Sequence, residues 1–192
     1  KWEERELGAP GKGEGQVRLR AASVNFPDIL MVQGKYQLKP ELPFSPGMEG
    51  AGDVVDVGEG VARAKVGDKV VFGSRFGCYA EEIVVPEGAV RALPHGFDYT
   101  KGAAYPAAYL TAYVGLVRRG LLEAGQTLLV HGAAGGVGLA AVDLGKLLGA
   151  TVIATGRSPA KLAALAAQGA DHAIETANGR PFRDDVKALT GG

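Results

Sequence analysis

The run Ala133, Ala134, Gly135, Gly136, Val137, Gly138 carries the most legible chemistry in this chain. Its spacing is an A-x-G-x-x-G variant of the glycine fingerprint that brings a dinucleotide pyrophosphate against bare peptide N–H groups. A helix opening near Gly136 leaves its first amides without intrahelical partners and turns the positive end of its dipole toward the turn. An anion is stabilised by both effects, and missing side chains let it come close. The Gly135 place permits that approach; the Gly138 place permits close packing of helix on strand. About 20 residues on, where an NAD enzyme carries a carboxylate for the ribose 2′-hydroxyl, stand Gly156, Arg157, Ser158 and then Lys161. A guanidinium, a hydroxyl and an ammonium suit a 2′-phosphate, so NADP(H) is the expected cofactor. The alternative is a plain tight βα turn, with Arg157 and Lys161 as solvated charges on a surface helix capped by Ser158 and opened by Pro159.

The surrounding elements are of the right kind to position such a turn. Thr127 to His131 is an apolar, β-branched run, Gly132 to Gly136 breaks it, Val137 to Leu148 has helical spacing, and Thr151 to Thr155 is a second strand. A short third strand spans Asp171 to Glu175. Upstream the texture differs. VRLRAASV, AGDVVDVG, KVVFG, EEIVV and AVRALP are short β-type runs separated by turn signals, which predicts a partly closed barrel with few helices. One helix is expected from Phe26 to Val32, with Pro27 in its first turn and Gly34 past its end. Tyr99 to Arg119 is alanine-rich and helical, so the boundary falls near residues 100–110, giving domains 1–100 and 101–192.

Composition narrows the partners. Lys+Arg and Asp+Glu are both 21, and a chain without net positive charge lacks the basic field that nucleic acid or an anionic membrane requires. The longest weakly polar stretch, Leu128 to Val142, is short and glycine-rich, and no membrane span or signal peptide is read. A single cysteine, Cys78, excludes an internal disulfide and a cysteine-rich metal site, and the cytosol is the expected location. Cys78 has no basic helper nearby and is read as a packing residue. His95, His131 and His172 are isolated from one another and are read as structural.

The stretch from Ala21 to Val61, then VGDKVV, AAYPAAYLTAYVGL and LLVHGAAGGVGLAAVDL, resembles the quinone oxidoreductase or ζ-crystallin branch of the medium-chain dehydrogenase/reductase superfamily, colinearly over nearly the whole chain. The resemblance implies an α/β fold, with an N-terminal GroES-like, partly open β-barrel followed by the first half of a doubly wound Rossmann sheet. Zinc alcohol dehydrogenases of the superfamily carry a catalytic cysteine where this chain has Asn25, and a G-H-E run where it reads Gly47, Met48, Glu49. The four-cysteine lobe for structural zinc is absent too. No metal is therefore expected, and Glu49 is read as ordering backbone at the cleft floor.

The resemblance implies a zinc-independent, NADPH-dependent oxidoreductase that passes hydride to a quinone or activated alkene in a cleft between the domains, an acceptor that needs no Lewis acid. Asn25, Tyr36 and Thr111 match positions that face the nicotinamide end in the family. Asn25 or Tyr36 is expected to hydrogen-bond a substrate carbonyl or the nicotinamide ribose, and Thr111 to buttress the ring. Tyr36 as a loop aromatic and Thr111 as a self-bonded helix hydroxyl stay open. Leu30 stands where ζ-crystallins often carry a tyrosine, favouring apolar acceptors. An enoyl-thioester or alkenal reductase is the alternative enzyme; a non-catalytic NADPH-binding protein like the vesicle amine transport homologues is the alternative outside catalysis. A fragment is expected, because the family has six Rossmann strands and a nicotinamide-contacting second half where this chain reads as two strands and a short third, and lacks the usual first strand; the family's dimer contact lies on an edge strand of the other half, so a homodimer is an expectation for the full-length protein alone.

Overall fold

The computed structural model describes residues 3–192, which form two compact units meeting in sequence at Pro106 and Ala107. In the first, β1 (Glu14–Ala22), β2 (Glu49–Val57), β3 (Lys69–Gly73), β4 (Glu82–Pro86) and β5 (Val90–Ala92) make one sheet in the order β4-β1-β2-β3-β5. All its pairings are antiparallel. Register shifts along β1, at Gln16/Val17 and Leu19/Ala21, bend the sheet in the manner of a partly open barrel. Val17, Val54, Val70, Phe72, Cys78 and Val85 fill its interior.

Helix α1 (Phe26–Val32) has the bounds its sequence predicts. Pro27 lies in its first turn, the Asp28 carboxylate takes the backbone N–H of Asn25 at 2.8 Å, and Gly34 beyond its end has φ +67°. The alanine-rich stretch is not one helix. It divides into α2 (Tyr99–Ala104), α3 (Pro106–Tyr113) and a π-helical segment, Val114–Arg119. Pro106 has no N–H to continue the hydrogen-bond ladder, so the helix breaks there although Tyr105 keeps right-handed helical backbone.

The second unit holds a parallel sheet, β6 (Thr127–Val130), β7 (Thr151–Gly156) and β8 (His172–Glu175), in that order. Helix α4 (Gly136–Leu147) crosses from β6 to β7 and α5 (Pro159–Ala167) from β7 to β8; α6 (Arg183–Thr190), which the sequence pattern did not single out, follows. Val152, Ile153, Ala154 and Thr155 of β7 are all buried, as a central parallel strand covered on both faces requires. Glycine lets α4 lie close: a Cβ on Gly145 would stand 2.7 Å from the Leu128 side chain and 3.0 Å from that of Val152.

Candidate functional site

In the second unit the glycine turn and the end of β7 share a cavity of about 300 Å³, lined by Gly132, Ala134, Gly135, Gly156, Arg157, Ser158, Lys161 and Leu162. Six of the nine expected cofactor residues are in that lining: Ala134, Gly135, Gly156, Arg157, Ser158 and Lys161. Gly136, Val137 and Gly138 are not. Gly136 opens α4, Val137 is exposed, and Gly138 is buried beneath the turn. Gly132 and Leu162 belong to the site but were not read from sequence. Gly132 was legible as the first residue to break the strand, and it adopts φ +60°; Leu162 gave no signal beyond a helical apolar position, and it also sits in the core.

The two glycines of the fingerprint answer to different constraints. A Cβ on Gly138 would lie 2.6 Å from the Gly132 carbonyl oxygen and 2.7 Å from Cα of Ala133, so helix and turn touch there without room for a side chain. A Cβ on Gly135 would meet nothing closer than the Gly132 oxygen at 3.5 Å. Its bareness serves no internal contact and leaves space in the cavity. Gly135 is the N-cap of α4 and Ser158 the N-cap of α5, so two helix N-termini converge on this cavity. Ser158 makes no side-chain capping bond, which leaves its hydroxyl to the cavity rather than to the helix. With exposed Arg157 and Lys161 and no carboxylate in the lining, the donor set fits a polyanion such as the phosphates of NADP(H). A larger groove, about 840 Å³ along β8 and α6, differs in kind. Arg180 there is ion-paired with Asp185 at 2.9 Å, and Ala173, Ile174, Ala188 and Leu189 line much of it.

The first unit builds a different site around two buried carboxylates, Asp28 and Glu49, which are 2% and 1% exposed. Asp28 accepts from the N–H of Asn25 at 2.8 Å, the N–H of Gly47 at 3.2 Å and the Tyr79 hydroxyl at 3.2 Å. It thereby fastens three chain segments together. Gly47, at φ +100°, lies so near the Tyr79 ring that a Cβ would come within 2.6 Å of it. Glu49 accepts from the Ser23 hydroxyl and from Asn25 Nδ2, the latter at 2.9 Å, and Asn25 Nδ2 also donates to Ser23 Oγ at 2.9 Å. Glu49 therefore orders side chains at this site. Both N–H bonds of the Asn25 amide are engaged within the chain, one by Glu49 and one by Ser23.

Burial, reinforced by the Asp28 and Glu49 charges, pushes the Cys78 thiol from an ordinary 9.0 up to about 12. Burial first and Asp28 second push the Tyr79 hydroxyl from 10.0 to about 12. Cys78 lies in the core cluster, as a packing residue does. Tyr36 is half-buried just beyond α1, its N–H bonded to the Leu30 carbonyl at 3.2 Å, and Thr111 is exposed on α3 of the second unit. Ser23, Asp28 and Tyr79 were missed by sequence reasoning. Nothing in their spacing marks them; they meet only because β1, α1 and the loop before β4 converge. Of the histidines, His131 contacts Thr155 Oγ1 at 3.2 Å through Nδ1 and packs edge-on against Phe182.

Among the described residues no group of three or more His, Cys, Asp or Glu is placed to hold a metal ion. At the position matched to the zinc site the available groups are an amide with its nitrogen committed, a hydroxyl, a thioether and one hydrogen-bonded carboxylate, a donor set that does not fit zinc.

Residues 11–95 match the family described as "Alcohol dehydrogenase GroES-like domain", and residues 136–192 match that described as "Zinc-binding dehydrogenase", in that order along the chain. The chain belongs to the medium-chain dehydrogenase/reductase superfamily. Among curated relatives, the human "Synaptic vesicle membrane protein VAT-1 homolog" is 40% identical over 182 residues, 95% of this chain and 46% of its own length. A Nematostella vectensis protein named "Quinone oxidoreductase-like protein 2 homolog" is 42% identical over 184 residues, 95% of this chain and 50% of its own. The crystal structure of Escherichia coli quinone oxidoreductase complexed with NADPH superimposes with a TM-score of 0.91 at 33% identity, covering 99% of this chain and 58% of that one. The chain thus spans about half the length of these curated relatives, and its superfamily half-sheet is the partial Rossmann sheet described above.

Proposed function

We propose that the whole protein is a zinc-independent, NADPH-dependent reductase of quinones or activated alkenes that works in the cytosol. The observation that carries the cofactor is the cavity in which bare Gly135, the N-termini of α4 and α5, Arg157, Ser158 and Lys161 converge without a carboxylate. Bound NADPH supplies a hydride from its nicotinamide ring. The chain's own part is positional: the α4 and α5 N–H groups hold phosphate oxygens, and Arg157 and Lys161 neutralise the 2′-phosphate that distinguishes NADPH from NADH. The similarity to quinone oxidoreductases supports the acceptor class, because a delocalised acceptor needs orientation more than a metal Lewis acid. The unsuitable donor set around Glu49 supports independence from zinc. Asn25, Tyr36 and Thr111 are proposed as lining residues rather than catalysts.

The test is NADPH oxidation by the full-length protein against a panel of quinones, enals and enoyl thioesters, with and without chelator. Turnover of quinones or enals that survives chelation is expected. Turnover lost to chelator and restored by zinc overturns the metal-free reading, and a preference for enoyl thioesters moves the substrate class. The similarity to the VAT-1 homologue favours a second reading, an NADPH-binding protein without turnover. NADPH binding with no acceptor reduced selects it.

A further inference from the structure

The chain contains two Ser-Pro dipeptides, Ser45-Pro46 and Ser158-Pro159, and no Thr-Pro. Their hydroxyls are committed differently. Ser45 Oγ donates to the Tyr79 carbonyl at 2.7 Å, in a half-buried segment. Ser158 makes no side-chain capping bond to α5, and among the described residues its hydroxyl has no partner. It lines the cavity with Gly135, and Pro159, Ala160 and Lys161 after it are exposed. Its backbone is extended, at φ −110° and ψ 116°, as proline favours in the residue before it. Arg157 and Lys161, on either side of it in sequence, are exposed cations in the same lining, and neither has an ion-pair partner among the described residues. An unbonded serine hydroxyl followed by proline and then by a basic residue is the form that a proline-directed serine kinase accepts, and the first turn of α5 need only fray to enter its cleft. A phosphate on that hydroxyl adds nearly about two negative charges and strong acceptor oxygens to a lining that holds two free cations and no carboxylate.

We propose that Ser158 is a phosphorylation site for a proline-directed serine kinase, and that its phosphate takes the cation-lined part of the cavity and so switches NADPH binding off. In the transfer, Ser158 Oγ forms a bond to the γ-phosphorus of ATP, the bond from that phosphorus to the β–γ bridging oxygen breaks, ADP leaves with the electron pair, and the hydroxyl proton passes to the carboxylate base of the kinase. Arg157 and Lys161 then pair with a phosphate fixed to the chain instead of the one a ligand brings, and the added charge repels the phosphates of the dinucleotide. This regulation deepens the cofactor reading and rests on it for the ligand displaced. The modification itself and its pairing with Arg157 and Lys161 do not depend on that reading.

The experiment incubates the full-length protein with ATP and a purified proline-directed serine kinase and maps the phosphate by mass spectrometry. Phosphate is expected on Ser158 and is expected to be absent from Ser158→Ala. Pro159→Ala should also prevent it while keeping NADPH affinity within about twofold, because Pro159 is outside the cavity lining and alanine suits the first turn of a helix. In the phosphorylated protein the dissociation constant for NADPH, by calorimetry, should rise about a hundredfold and that for NADH only about threefold, so that the preference between them collapses. Phosphorus NMR reads the pairing directly: the phosphoserine should lose its last proton below the usual pH of about 6, and Arg157→Ala should return it toward that value. Phosphate on Ser45 and not on Ser158, a phosphoserine titration that Arg157→Ala leaves unmoved, or phosphorylated protein that binds NADPH as the unmodified protein does overturns the proposal. Failure of the cofactor reading shows separately, as unmodified protein that binds neither NADPH nor NADH while Ser158 is still phosphorylated.

Discussion

The two polar sites of this chain differ in where their hydrogen bonds end. Around Asp28 and Glu49 the polar groups close on one another: carboxylates that are 2% and 1% exposed take their donors from the chain itself. Around Gly135 and Arg157 they remain open, with two helix N-termini and two exposed cations facing a cavity that contains no acidic side chain. A closed network fixes geometry and supplies stability; an open one supplies affinity. Mutations in the first should therefore appear in unfolding and those in the second in binding.

The largest effect is expected at Asp28. Asp28→Ala leaves the N–H groups of Asn25 and Gly47 without this acceptor and the Tyr79 hydroxyl with the Ser23 carbonyl, at 3.1 Å, as its remaining one, and removal of such a buried hydrogen-bonding partner costs about 3 kcal/mol of folding free energy, read from denaturant unfolding. Gly138→Ala comes next, at about 2 kcal/mol, because the new methyl group meets backbone that must move. Gly135→Ala sharpens the contrast. Its φ of −86° and ψ of 167° suit alanine, so stability should stay within about 0.5 kcal/mol while NADPH affinity falls about tenfold. Equal destabilisation by the two alanines would erase the distinction between them.

The fingerprint was legible because its glycines, strands and helices are contiguous: β6, α4 and β7 fall within a residue or so of their sequence assignments. The same holds for α1, whose proline and glycine punctuate it. The carboxylate network was not legible. Ser23 and Glu49 are 26 residues apart, and Asp28 and Tyr79 are 51 apart, so only strand pairing makes them neighbours. The break at Pro106 was visible in the residue itself but was outweighed by the alanine content around it.

A further effect is one of pH. The Cys78 thiol and Tyr79 hydroxyl titrate at about 12 in the folded chain against ordinary values of 9.0 and 10.0, so folding favours their neutral forms. Their contribution is whole below about pH 9 and is lost as pH rises toward 12. Unfolding free energy should decline over that window, and Tyr79→Phe should flatten part of the decline. Native Cys78 should also resist alkylation at pH 9, where an ordinary thiol is half ionised.

The central claim is that the open cavity recognises the phosphates of NADPH. The direct measurement is the pair of dissociation constants for NADPH and NADH, by calorimetry on the full-length protein and on Arg157→Ala. The account predicts that NADPH binds at least about tenfold more tightly and that the substitution removes most of this preference without weakening NADH, as the loss of one charge-assisted contact implies. Equal affinities in the unaltered protein, or a preference that Arg157→Ala leaves intact, would contradict it.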